Sequence, residues 1–270
     1  ELAANLLVLW ENFNELHDYP VLVFHEGLSV DAKHLLVRAS PCRLWFHLIE
    51  DLLELPGSLR RDARRQAHAK KAVIKSLGYR AQARWKAGTM FRHPAFRSRD
   101  GRPHYVWWQD YDSYLPAKIR HDPFQHMHDR ELIFGFTHWG HDAPSSSQGF
   151  FDHLQLYMLH SNVKVRGMDL LVEALTFSET TQGNVPTPES IRCSWDGKVI
   201  MNDSEFLRAD WFASGAYQEW FVYVDDLQRM WTHRWGDHIV RTFGVAMHLP
   251  NNRSEKLRLP YAHQDVCLCG

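Results

Sequence analysis

The run Tyr105-Val-Trp-Trp-Gln-Asp110-Tyr-Asp112 sets two carboxylates at i and i+2 at the end of an apolar aromatic stretch. Such a stretch reads as a buried strand, and acids two apart at a strand end share a face, so both reach one divalent cation. A cation held in that way can grip the diphosphate of a sugar nucleotide. Asp-x-Asp by itself is also an ordinary turn composition. The context argues for more, because the apolar Leu132-Ile-Phe-Gly-Phe136 follows at a distance that suits the next strand of an α/β domain.

The chain carries 18 His, the densest group being His121, His126, His128, His138 and His141. His126-x-His128 on one strand face, or His138 with His141 near Asp142, would suit a zinc hydrolase. Against that stands the lack of a His-Glu-x-x-His frame. A polar channel of His and Trp would equally suit a sugar. The 11 Trp serve either as core or as platforms for sugar faces.

A chain of 270 residues with 44% hydrophobic content buries a full core, as one large domain or two tightly joined lobes, and is not disordered. A formal charge of -1 gives no general attraction to nucleic acid or to an anionic membrane, so the expected substrate is small or neutral. The basic residues from Arg60 to Lys75 read as the solvated face of a helix, without the aromatic interleaving of a nucleic-acid surface. No run approaches the roughly 18 apolar residues of a membrane span. The first residue is Glu1, already inside a helical pattern of Ala3, Leu6, Leu7, Trp10 and Phe13, so a signal, an anchor or a first strand is expected upstream. The four Cys, at 42, 193, 267 and 269, form no Cys-x-x-Cys pair, which argues against a zinc ribbon; Cys193 with a C-terminal Cys is an open pairing in an oxidising lumen.

The elements that must position these groups follow from periodicity. The opening helix, to Asp18, leads into a strand at Tyr19-Pro-Val-Leu-Val-Phe-His25. Cys42 to Ile49 is a second strand or a core helix. Tyr79, Ala83 and Met90 share a helical face in the segment that Pro94 closes, and Arg99 to Pro103 reads as a turn before the Asp-x-Asp strand. Helices are predicted over Phe150 to His160 and from Ala216 to Leu227, with residues 177 to 204 as a long surface excursion.

Several blocks, in order, resemble the fungal Golgi α-1,2-mannosyltransferases of glycosyltransferase family 15. The strand at Tyr19 to His25 is similar to the family's "YDWVFLN", and Gly78 to Pro94 to its "SYRHMCRFxSGFFFRHP". Asp110-Tyr-Asp112 stands where the family has Glu-Pro-Asp; Asp122-Pro-Phe-Gln-His-Met-His-Asp129 resembles "DPFRYMED", and Phe134 to Thr137 resembles "YGFT". His233 to Thr242 resembles "ERWGDAPVHS", and Pro260-Tyr-Ala-His263 resembles part of "GYRHP". The similarity spans almost the whole chain.

The resemblance implies an α/β, GT-A-like nucleotide-sugar transferase fold, a mixed and mainly parallel sheet flanked by helices. It implies one catalytic domain over 1–270 without its N-terminal anchor and first strand, from a type II membrane protein of the Golgi lumen. It implies retaining transfer of a hexose, most simply mannose from GDP-mannose, to a glycan or glycoprotein hydroxyl with Mn2+ or Mg2+. Asp110 and Asp112 would hold the ion, with His238 as a further ligand because the family's "VHS" histidine falls on Arg241, which cannot coordinate a cation. Tyr79, Arg80 and Arg84 would meet the nucleotide, and Asp142, Glu205 or Asp237 would be the catalytic carboxylate. The departures at His233 and Arg241 keep a non-catalytic carbohydrate-binding relative as an alternative, the histidine cluster keeps a His-rich metallohydrolase, and a different sugar-nucleotide donor is the milder alternative.

Overall fold

The computed structural model describes residues 1–50, 52–62, 75–96, 104–179, 191–213 and 215–263. Its strands are β1 (Val21–His25), β2 (Leu44–Leu48), β3 (Tyr105–Gln109), β4 (Ser113–Tyr114), β5 (Phe134–Phe136) and β6 (Trp139–His141), then β7 (Thr176–Glu179), β8 (Ile191–Ser194), β9 (Lys198–Ile200), β10 (Ser204–Arg208), β11 (Ser254–Lys256) and β12 (Ala262–His263). Four of them form the central sheet in the order β11-β5-β10-β3, while β1 and β2 pair separately.

The architecture is α/β, but the expected predominance of parallel pairing is corrected. Among the described pairings, β1 with β2 and β11 with β5 are parallel, whereas β10 runs antiparallel to both β3 and β5, and the three remaining pairs are antiparallel. A strand late in the chain has inserted between two earlier ones, and local hydrophobic period carries no information about such partners.

That insertion matters for chemistry. Gln109 lies opposite Ser204 and Trp108 opposite Glu205, and the Asp110 N–H continues the ladder to the Asp203 carbonyl at 2.9 Å. The end of β3 and the start of β10 therefore deliver their acids to one place. β12 pairs with β4 with His263 opposite Ser113, which brings the chain's last described residues to the same end.

Two helices close the region. Leu77–Ala87 is capped by Ser76, whose hydroxyl accepts from the Tyr79 N–H at 3.2 Å, and it stops at Gly88. A Cβ on Gly88 would sit 2.2 Å from the Phe221 ring, so glycine permits the contact with the Gly215–Asp226 helix. Asp237–His248 starts with an acid in its first turn, favourable to the helix dipole, and is almost wholly buried. Gly244 in its middle admits Trp220 and Tyr217, which would lie 2.7 and 2.8 Å from a Cβ there. Around these helices Phe150, Trp220, Trp235 and Phe243 form one core cluster. Each such buried ring contributes about 1.5–3 kcal/mol relative to exposure.

The open segment at Cys42 to Ile49 is the strand β2, and the predicted helices near 150 and 216 form as Phe150–His160 and Gly215–Asp226. The excursion over 177 to 204 is corrected: its described parts are β7, β8, β9 and the start of β10, and Val199, Ile200, Asn202, Asp203 and Ser204 are buried. Its polar side chains line an interior site, which composition mistakes for surface. His126 and His128 stand on the Pro123–Asp129 helix and not on a strand, because Asp122 caps the Phe124 N–H and Pro123 opens the first turn. Most of the basic run after Arg60, the Arg99 to Pro103 turn, and Cys267 and Cys269 lie outside the described residues.

Candidate active site

Asp110 leaves β3 with its Oδ1 accepting twice, from Trp108 Nε1 at 2.7 Å and from Lys86 Nζ at 2.8 Å. Asp112 follows on the turn into β4 and lies 3.2 Å from His263 Nε2. The other ring nitrogen of His263 is 3.5 Å from Asp203 Oδ2, which also accepts from the Tyr261 hydroxyl at 2.6 Å. Ligand atoms of Asp110, Asp112 and His263 all fall within 4.8 Å of one another. Two carboxylate oxygens and an imidazole nitrogen at that spacing fit a hard or borderline divalent cation.

His263 takes the place expected of His238. The β4–β12 pairing carries His263 to Asp112, while His238 Nδ1 accepts from the Asn202 N–H at 3.3 Å and the ring lies on the side of Asp142 and Asp237. The helical register that puts His238 three residues before Arg241 turns it to the other side of the cluster. His263 was legible only as part of a short motif, since 151 residues separate it from Asp112 in the chain.

Behind the ion-binding group lies a buried network of charge. Glu205 on β10 and Arg241 on the Asp237–His248 helix are fully buried, and Arg241 Nε donates to Glu205 Oε2 at 3.0 Å. Its other nitrogens donate to the Tyr217 hydroxyl at 2.6 Å and the Lys86 carbonyl at 2.9 Å, and the guanidinium stacks near Phe91, Phe212 and Tyr217. Arg241 is thus a fixed internal cation at the position where the resemblance lost a histidine. Lys86, with 4% of its side chain exposed, bridges Asp110 and Asp237, the latter at 3.6 Å.

These surroundings separate the three candidate carboxylates. Burial pushes Glu205 up to about 7, although Arg241 and Lys86 pull it down. Burial likewise raises Asp142, against the pull of His238 and Arg234. Burial also lifts Asp237, but His238 and Lys86 outweigh it and leave its carboxyl below the usual range. Lys86 loses to burial and gains more from Asp110, Asp237 and Glu205, so its ammonium is held protonated. Acids whose environments push them apart can divide proton and charge roles.

Asp142 follows β6 directly and is buried rather than on an open loop; Arg234 Nη1 approaches its Oδ1 at 3.5 Å and Nη2 donates to the Tyr79 hydroxyl at 3.0 Å. Asp142 Oδ2, Glu205 Oε1 and Asp203 Oδ1 are buried without a hydrogen-bond partner among the described residues, and the Asn202 side chain lies against the Asp237 carboxylate. Buried polar groups in native proteins are nearly always satisfied, so a cluster of orphaned oxygens marks a place for a polar ligand.

The nucleotide expectation for Arg80 and Arg84 is corrected in part. Arg80 is buried and donates to the Trp231 carbonyl, and Arg84 forks onto Asp225 with two 2.6 Å bonds. Both arginines fasten their helix to its neighbours, a role that short sequence blocks do not reveal. Arg84 also lines a cavity of about 460 Å³ with Glu50, Glu54, Arg60, Trp85 and Thr89. The orphaned oxygens lie outside that cavity's walls, and the chemistry belongs with the oxygens. The histidines of the zinc expectation disperse: His126 goes to Glu255, His138 to Thr137 and His141 to Asp196.

Comparison with known proteins bears on the family and the fold. A family model described as glycolipid 2-alpha-mannosyltransferase matches residues 2–270. An O-glycoside alpha-1,2-mannosyltransferase homolog (homolog 5) of Schizosaccharomyces pombe is 20% identical over 278 residues, covering 96% of this chain and 65% of its own length. The chain thus spans about two thirds of that relative. Core-mannan synthase A of Aspergillus fumigatus, solved in a Mn/GDP form, superposes with a TM-score of 0.79 at 17% identity over 97% of this chain and 70% of that one. The Ktr4p mannosyltransferase of Saccharomyces cerevisiae in complex with GDP gives 0.80 at 19% identity, over 97% and 67%. The fold is the GT-A-like nucleotide-sugar transferase fold that the sequence resemblance implied.

Proposed function

The chain belongs to the glycolipid 2-alpha-mannosyltransferase family, and on that premise we propose that it transfers a hexose, mannose from GDP-mannose, to a glycan hydroxyl with retention of configuration. The observation that carries this reading is the convergence of Asp110, Asp112 and His263 beside the buried Glu205 and Asp237. The relatives' named activities and the Mn/GDP form of the fungal synthase support the donor and the ion. Residues 1–270 act as one catalytic domain.

Asp110, Asp112 and His263 would hold the Mn2+ or Mg2+. When bound, that ion supplies positive charge to the departing diphosphate. The chain's own groups do the rest. Departure of the nucleotide leaves positive charge on the sugar ring, and retention requires a carboxylate on the opposite face or same-face delivery of the acceptor. Glu205 is assigned to that opposite face, because its Oε1 is free of partners while Arg241 locks Oε2 and fixes the carboxyl plane. Asp237, held ionised by His238 and Lys86, supplies negative potential close to the developing cation. Asp142 offers a hydrogen-bonding oxygen for sugar hydroxyls.

The partners under this reading are the sugar nucleotide and a glycan or glycoprotein acceptor in the Golgi lumen. No helix among the described residues is long and apolar enough to cross a membrane, and the type II topology is part of this proposal. A donor-hydrolysis screen across GDP- and UDP-sugars, with and without Mn2+, tests the proposal on the chain and its Asp112→Ala variant. Mn2+-dependent hydrolysis of GDP-mannose that Asp112→Ala loses is the expected result. Equal turnover by both proteins removes the assigned ion site.

A further inference from the structure

Lys86 sits between the acids proposed to bind the ion and the buried carboxylates, and its role in the proposed reaction so far is only to help hold Asp237 ionised. Its position is built, since three elements hold it. The last turn of the Leu77–Ala87 helix carries it, its carbonyl accepts from Arg241 Nη2 at 2.9 Å, and its stem runs to an ammonium 5.5 Å from the Trp108 ring centroid. The ammonium contacts Asp110 Oδ1 at 2.8 Å and Asp237 Oδ2 at 3.6 Å. A side chain buried to this degree that moved away would leave both carboxylates without their cation.

We propose that Lys86 is a fixed counter-cation that suppresses ion binding at Asp110, Asp112 and His263 until a nucleoside diphosphate arrives, so that ion and nucleotide are captured together. This rests on the ion site of the proposed function. With Lys86 against Asp110, one of the two carboxylates of the ion site is already neutralised. An incoming divalent ion meets a carboxylate already paired with an ammonium, together with Asp112 and the imidazole beside it. A diphosphate adds negative charge where the ammonium has removed it, and the same ammonium then faces phosphate oxygens instead of opposing the ion. Lys86 thereby makes the ion's affinity depend on the ligand that needs it.

Mn2+ titration followed by the electron paramagnetic resonance of free Mn2+, on the full chain with and without GDP, tests the idea. Wild type is expected to bind Mn2+ weakly alone and at least roughly tenfold more tightly with GDP, tenfold being the effect of one charge interaction of ordinary size. Lys86→Gln removes the charge and keeps a head group able to bond Asp110; it is expected to bind Mn2+ about tenfold more tightly than wild type without GDP, with most of the GDP dependence gone. Lys86→Arg keeps the charge and is expected to follow wild type. Lys86→Met serves as a second neutral variant, and circular dichroism with thermal unfolding establishes that each variant folds. If the neutral variants bind Mn2+ without GDP no more tightly than wild type, while all bind it with GDP, the role of Lys86 is refuted and the ion site stands. If no protein binds Mn2+ even with GDP, the ion site and this inference fall together.

Discussion

Arg241 donates to Glu205 across 3.0 Å with both side chains at 0% exposure, so the structure holds a complete ion pair close to the acids proposed to bind the ion. Replacing Arg241 with Ala strands the Glu205 carboxylate, together with the Tyr217 hydroxyl and Lys86 carbonyl that Arg241 now serves. The expected loss is about 3–5 kcal/mol of stability, read as a lowered urea midpoint. Arg241→Met with Glu205→Gln removes both charges and should cost clearly less than Arg241→Ala; an equal or greater cost would show that charge isolation is not the cause.

The same glutamate sets a pH window. Burial pushes its carboxyl from 4.5 up to about 7, so the folded chain binds this proton more tightly than the unfolded one. Its contribution to stability is full below 4.5 and is lost as pH rises through about 7. Thermal melts of wild type and Glu205→Gln from pH 5 to 8 should therefore converge or cross in the direction of relative loss for wild type. Turnover, which requires the ionised carboxylate, should rise over the same interval and be abolished in Glu205→Gln. A flat difference in melting temperature across that range would contradict the assignment.

His248 predicts the opposite limb. Burial, then the charge of Arg166, depresses its imidazole from 6.5 to about 4, and its Nε2 is buried without a partner among the described residues. Stability from this neutral ring is present above 6.5 and is lost as pH falls through about 4. His248→Gln should flatten the acid side of the stability profile between those values, as measured by urea unfolding at fixed temperature. It should leave Mn2+ binding with GDP unchanged, since His248 closes the far end of the Asp237–His248 helix.

Asp112 and His263 are expected to act on the ion and not on the fold. Asp112→Asn should weaken Mn2+ binding in the presence of GDP and lower turnover by roughly a hundredfold or more, the scale of losing a contact that stabilises developing charge. His263→Ala should weaken ion binding by about 10–100-fold. Isothermal titration with Mn2+ in excess GDP measures both. Full affinity in the His263 variant would return the third ligand to some other group.

Packing at glycine offers a test of the fold independent of chemistry. At Gly88 a methyl group would lie 2.2–2.4 Å from three atoms of the Phe221 ring, and at Gly244 it would meet Trp220 and Tyr217 below 3 Å. Gly88→Ala and Gly244→Ala should each cost about 1–3 kcal/mol in urea unfolding, because the rings they meet are themselves buried. Gly57→Ala, with nothing within 4 Å of the added carbon, is the matched control and should stay near wild type.

The chain's own sequence fixed what its local chemistry can encode. An aromatic run ending in Asp110 and Asp112 becomes β3 and a turn because alternation and turn composition act over a few residues, and the helices at 77, 150 and 215 follow from period and caps in the same way. Glu205 and Asp237 were reachable because they sit in blocks that keep their order along the chain. Only the tertiary structure decided which of these acids share a site. The antiparallel insertion of β10 beside β3 puts Asp203 next to Asp110 and Glu205 opposite Trp108, and the pairing of β12 with β4 brings His263 to Asp112 in place of His238. Arg80 and Arg84 read as phosphate-binding residues until helix packing gave them a carbonyl and a carboxylate to hold. Arg241 looked like a lost ligand, and nothing in the local pattern singled out Lys86; burial made both of them cations paired with buried or half-buried acids. The reason is common to all of these: contacts between residues more than a hundred positions apart depend on register and packing, and no local pattern specifies either.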